Sequence, residues 1–188
     1  MRATGPRFPS MPETATATAV LVEGFGRTPD LVDRALEGMS AADLTRRVDP
    51  DANTIAWLVW HTARMQDAQI TSAERAIGRG DAEQVWVAQG FADRFELGVG
   101  DREVGYGMSS EQVAGVEAPA DLLREYHRAV NNHTVAFLET LDDTDYARVV
   151  DRRWNPPVTL LVRLVSIEQD SVQHLGQAAY VRGVLQRT

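Results

Sequence analysis

Leu160, Leu164, Ile167, Ser171, His174, Ala178, Val181 and Leu185 recur at alternating steps of four and three. That spacing lines side chains along one helical seam. It predicts a helix from about Thr159 to Arg182, ending at Gly183. Leu161, Val165, Val172, Leu175 and Ala179 fall on its other faces, so the helix is expected to be largely buried. A long helix that is apolar on several sides needs other elements to cover it, and three further periodic segments are available.

The first runs from about Thr16 to Met39, with a kink or early break expected around Gly24, Gly26 and Pro29. The second follows Pro50-Asp51-Ala52-Asn53, with Asp51 or Asn53 as the candidate cap, and continues to about Ala76 before Gly78 and Gly80. It places Thr54, Trp57, Leu58, His61, Met65 and Ala68 on one face. The third opens at Ala118-Pro119 and runs to Leu141, carrying Leu122, Tyr126, Val130, His133 and Phe137 inward. The expected fold is all-α, a four-helix bundle with a long connection between its second and third helices. That connection, from Gly80 to Pro119, holds six further glycines and is read as a mobile excursion, a lid over a site, with short helices near Ala82–Gln89 and Ser109–Val116. Its length allows the two helices it joins to run parallel. Asp142-Asp143-Thr144-Asp145 lacks the later glutamate of a calcium loop and reads as a solvated turn.

Residues 1–15, rich in Pro, Thr and Ser, read as a flexible leader, and 16–188 as one domain. No run approaches the ~18 apolar residues of a membrane span, so a soluble, cytoplasmic protein is expected. The 188-residue chain has no cysteine, and all 19 of its basic residues are arginine. Disulfides, thiolate ligands, cysteine nucleophiles, Schiff-base lysines and a phosphate-loop lysine are thereby excluded. A net charge of −8 without a cationic cluster argues against nucleic acid as a partner.

Asp170 and His174 stand four apart and share a helix face. His61 lies on the face of the second segment that turns to the same core. Two imidazoles and a carboxylate supply three ligands and leave coordination positions open, as a catalytic divalent-metal site requires. Taken alone, Asp-x-x-x-His is a weak motif, and a histidine on an apolar helix face is more often a core histidine, here with a simple Asp170–His174 hydrogen bond. Tyr126 and His133 read as a core hydrogen-bonded pair. Trp57, Trp60 and Trp86 read as packing, with a pocket lining as the alternative.

The segments Trp57-Leu58-Val59-Trp60-His61-Thr62-Ala63-Arg64-Met65-Gln66-Asp67 and Asp170-Ser171-Val172-Gln173-His174-Leu175-Gly176-Gln177 resemble the two metal-bearing helices of the DinB-like superfamily. That superfamily includes mycothiol- and bacillithiol-dependent transferases and maleylpyruvate isomerase metal-binding domains. The resemblance extends from about Thr16 to Gln186. It implies a four-helix bundle and a divalent ion, zinc or nickel, held by His61, by His174 and by Asp170 at a position where the family commonly has histidine. Asp170 hardens the donor set and opens it to iron or manganese. The implied activity is a metal-dependent thiol S-transferase acting on small electrophiles, or a related isomerase or hydrolase. The all-arginine inventory points to a high-GC genome, as in actinomycetes, where the implied thiol is mycothiol. Arg182, two turns beyond His174, is a candidate for a carboxylate of thiol or substrate; its other reading is an exposed residue favoured by the helix dipole. A non-catalytic metal-binding or stress protein and a ferrous oxygen-using enzyme are the alternatives. A homodimer is the expected assembly.

Overall fold

The computed structural model describes residues 16–187. The leader expected at residues 1–15 lies outside the described residues. Each of the longest helices begins beside a residue suited to its first turn. Helix α1 (Ala17–Gly26) starts with the Thr16 hydroxyl accepting from the Ala19 N–H at 3.1 Å. It breaks at Arg27, where the sequence places Gly26 and then Pro29, and α2 (Thr28–Leu36) continues with that proline in its first turn. After the short α3 (Ala41–Thr45) comes α4 (Ile55–Ala76). Its cap is Thr54, whose Oγ1 accepts from the Trp57 N–H, rather than Asp51 or Asn53. Asp51 instead bonds through its own N–H to Asp49. Gly78, at φ +73°, supplies the left-handed residue that ends α4, and the Arg79 N–H returns to the Glu74 carbonyl.

The segment that follows carries three short helices, α5 (Val85–Ala88), α6 (Phe91–Phe95) and α7 (Ser110–Ala114). Helix α8 (Ala120–Glu139) has Pro119 at its N-cap. A 3-10 turn at Asp145–Ala147 and a two-stranded antiparallel hairpin, β1 (Val149–Asp151) and β2 (Val158–Thr159), lead into α9 (Leu160–Leu185). The described residues thus contain nine α-helical segments, and the four expected ones correspond to the broken α1/α2 pair, α4, α8 and α9. The helix α9 passes Gly183 and stops two residues later. The acidic turn is not wholly solvated: Asp145 is buried and pairs with Arg79 at 2.6 Å and Arg148 at 3.2 Å.

The helix α4 packs on both α8 and α9. Its contacts fix their directions. Asp67 and Glu74 of α4 meet Tyr126 and His133 of α8 in the same order, so the two helices run parallel. His61 and Gln69 meet His174 and Arg163 in reverse order, so α4 and α9 are antiparallel. Two apolar clusters fill the interior. One gathers Trp57, Trp60, Trp86, Phe91, Phe95 and Tyr126, and the other Phe25, Ile70, Phe137, Leu164 and Ile167.

Three expectations are corrected here. Tyr126 and His133 do not pair: the tyrosine bonds Asp67 and Arg64, while His133 bonds Glu74. The helix α9 is buried along its seam and at Leu175, not on every side. Leu161, Val162, Val165, Val172 and Tyr180 stay exposed because no described element covers that side. The excursion between α4 and α8 is anchored, since Val85, Trp86, Phe91, Phe95, Val113 and Val116 are all buried. No helix among the described residues is long and apolar enough to cross a membrane.

His127 of α8 is fully buried with neither ring nitrogen hydrogen-bonded. Burial pushes its pKa down from 6.5 to about 4, because the interior disfavours the imidazolium. Between those values the unfolded chain binds the extra proton, so stability is complete above pH 6.5 and falls as pH drops toward 4. That difference corresponds to roughly 3 kcal/mol. Denaturant titrations at pH 7 and 4.5 should therefore show a smaller acid loss in His127→Leu than in the parent. Equal losses would count against this role.

Candidate metal-binding centre

His61 projects from the middle of α4 and is 4% exposed. Trp57, one turn earlier, stacks on its ring at 4.5 Å with 9° between planes. From α9, the ring of His174 meets His61 edge-on at 4.9 Å, 82° apart. Asp170 stands one turn before His174, its Oδ1 3.5 Å from His174 Nε2. One donor atom from each of His61, Asp170 and His174 lies within 4.8 Å of the others. The three residues expected from the sequence are therefore brought together.

The surroundings of the rings decide which atoms face the shared space. His61 Nδ1 bonds the backbone carbonyl of Val104. A carbonyl only accepts, so Nδ1 carries the proton and the Nε2 lone pair is left for a ligand. On His174, Nδ1 bonds Gln177 Oε1 at 3.3 Å while Nε2 faces Asp170. Burial and the neighbouring His174 lower the pKa of His61, with Val104 opposing. Asp170 raises that of His174. Two imidazoles and a carboxylate suit a divalent cation. The 3.5 Å gap is near the roughly 3.3 Å between donors that share a tetrahedral ion at about 2.0–2.1 Å. The His/Asp/His group can thus bind a metal. Asp170 is 38% exposed at its side chain, which leaves the open side of the group toward solvent.

A second set of residues, not singled out in the sequence, holds Val104 in place. Glu103 Oε1 accepts from the N–H groups of Val104 and Gly105 at 2.9 and 2.7 Å. Arg64, one turn after His61 and 0% exposed, donates to the carbonyls of Glu103 and Asp101 at 3.1 and 2.8 Å. Its remaining contacts reach Gln84 Oε1, the Tyr126 hydroxyl and Asp67. Asp67 in turn accepts from the N–H groups of Val85 and Trp86 at 2.9 and 2.8 Å and from Tyr126. Burial raises the Asp67 pKa against those bonds. Helix α4 therefore carries both His61 and the ion pair that ties the excursion down over it.

Gly105 makes the close approach possible. At φ +91° it occupies a backbone region that side chains resist, and a Cβ there would stand 2.7 Å from His61 Nδ1 and 3.1 Å from Trp60. Gly105→Ala should cost about 1–3 kcal/mol and displace the His61 ring. The His61 imidazole resonances report the second effect, and an unshifted spectrum would show that the loop does not set the ring.

The sequence profile of the DinB superfamily matches residues 25–178, spanning α4, α8 and most of α9. The chain belongs to the DinB superfamily. Among solved structures, a conserved protein from Enterococcus faecalis is similar over 93% of this chain and 100% of its own, at 30% identity and a TM-score of 0.83. Comparison with functionally curated proteins gives no match. The fold is accordingly DinB-like and mostly helical.

Arg182, the candidate for a thiol or substrate carboxylate, reaches toward the end of α2. Its Nε and a terminal nitrogen donate to the Glu37 carbonyl at 3.1 and 2.9 Å, at the end of α2. Those two bonds use only part of its donor capacity. Trp60 and Trp86 are buried in the core, leaving Trp57 as the tryptophan against the histidines.

Proposed function

We propose that this DinB protein is a metal-dependent thiol S-transferase acting on small electrophiles, with mycothiol as the thiol that the family resemblance implies. The observation that carries the reading is the convergence of His61, Asp170 and His174 beside an exposed edge. A dication bound there, zinc or nickel by family analogy and iron or manganese by the Asp170 carboxylate, supplies Lewis acidity that lowers the pKa of a coordinated thiol. The chain's own groups do the rest. Val104 fixes the His61 tautomer, Trp57 shields the buried side of the ring from water, and Asp170 offers the open side to an incoming small molecule. With no cysteine in the chain, the nucleophilic sulfur must arrive on a cosubstrate. A second copy of the chain, pairing along the exposed Leu161, Val165 and Val172 side of α9, would complete the proposed homodimer.

The donor set itself favours one second reading. Two histidines and one carboxylate also suit ferrous iron in an oxygen-using enzyme. Elemental analysis of the purified protein, titration with zinc, nickel, manganese and ferrous iron, and transfer of mycothiol to a panel of electrophiles separate the cases. Thiol transfer that requires the ion supports the proposal. Oxygen consumption with iron supports the second reading, and ion binding without turnover reduces the site to a non-catalytic one.

A further inference from the structure

Seven residues along α4 from His61 stands Ala68, and seven back along α9 from Asp170 stands Arg163. A step of seven returns to the same helix face, about 10 Å away. There the seam between the two helices and the hairpin opens into a cavity of about 490 Å³. Gln69 and Ser72 of α4, Asp151, Arg152 and Arg153 of the hairpin, and Arg163 contribute its polar groups. Three arginines and a single carboxylate thus line it, in a chain whose net charge is −8.

The arginines are differently committed. Arg153 and Arg163 both bond Asp151 Oδ2, at 2.9 and 3.1 Å, and Arg163 also bonds Gln69 Oε1 at 2.8 Å. These contacts orient two guanidiniums beside the cavity while consuming only part of their donor capacity. Arg152 has no hydrogen bond or ion pair among the described residues, so tying the hairpin to α9 does not account for it. Between cavity and triad, Met65 and Ser166 occupy the intervening positions on the facing helices.

We propose that this cavity is a subsite for the anionic group, carboxylate or phosphate, of the small molecule whose reacting end lies at His61, Asp170 and His174. The second half of that statement rests on the function proposed above; the anion site itself does not. Fork-shaped guanidiniums pair with both oxyanions through charge-assisted bonds, and the 10 Å step sets the separation between the anionic and reacting ends.

Calorimetric titration of the full chain at low ionic strength, first with inorganic phosphate and separately with succinate, tests the site. Saturable binding of one anion or both is expected, with tighter phosphate binding assigning a phosphorylated ligand and tighter succinate binding a carboxylate. Arg152→Gln, which breaks no contact among the described residues, and Arg163→Gln should each weaken that binding about ten- to a hundredfold, the usual worth of a charge-assisted bond. His174→Ala lies outside the cavity and should bind the same anion as the parent. Absence of saturable binding to either anion, or parental affinity in Arg152→Gln, overturns the proposal. Metal titration of the same samples keeps the two readings apart: anion binding without ion binding would sink the metal centre and leave the subsite standing.

Discussion

Arg64→Ala is expected to lower the unfolding free energy by about 3–5 kcal/mol, the usual consequence of removing one partner from a buried ion pair. The side chain is inaccessible to solvent and spends its donors on two carbonyls, a glutamine, a tyrosine and Asp67, with its guanidinium 4.7 Å above the Trp86 ring. Its loss strands the carbonyls of Asp101 and Glu103 and leaves Asp67 without a counter-charge, although Asp67 keeps its bonds from Val85, Trp86 and Tyr126. Arg64→Lys keeps the charge but not the planar fork, so it should recover part of the loss. Guanidinium titrations measure the total. Amide exchange locates it: residues 97–108 should speed up well before the core of α9. A variant within about 1 kcal/mol of the parent would mean that the excursion is held by its buried aromatic residues alone.

His174→Ala should abolish divalent-ion binding in ordinary titrations while circular dichroism keeps its helical signal. Losing an outer-shell partner typically costs ~10–100-fold in affinity, and removal of one of only three donors should exceed that range. The fold has little at stake there. The His174 side chain is partly exposed and its bonds go to Asp170 and Gln177 on its own helix, so the stability change should stay within about 1 kcal/mol. Asp170→Ala should weaken binding, and Asp170→His should shift preference toward zinc or nickel because it replaces a hard oxygen by a softer nitrogen. Ion affinity unchanged in His174→Ala would place the ion elsewhere and remove the basis of the proposed function.

Much of this was legible because helical periodicity and i, i+4 spacing are local properties. The helices α4, α8 and α9 follow from apolar spacing, the break at Arg27 from Gly26 and Pro29, and the shared face of Asp170 and His174 from four-residue spacing. What escaped depends on distant or backbone partners. Val104 reaches His61 through a main-chain carbonyl 43 residues away, and a carbonyl has no residue signature. Arg64 and Asp67 carry no local signal that separates them from solvated helix charges; only the excursion packed on them gives them partners. Thr54 competed with two other good caps within four positions. The strands of the hairpin, three and two residues long, are too short to show alternation. The outer side of α9 reads as buried because its residues are apolar, yet sequence cannot say whether a neighbouring element covers them.

The tethering of the excursion also says where this scaffold tolerates rebuilding. Asp67 grips the chain at Val85 and Trp86, and Arg64 grips it again at Asp101 and Glu103. Between the last buried aromatic, Phe95, and Asp101 lie five residues, two of them glycines, with no hydrogen bond to the core among the described residues. Both ends of that span are clamped independently of its length. Lengthening it at Gly98 or Gly100, outside the packed Leu97 and Val99 side chains, therefore costs chiefly loop entropy, about 0.6 kcal/mol for each doubling, and leaves the helices beneath unchanged.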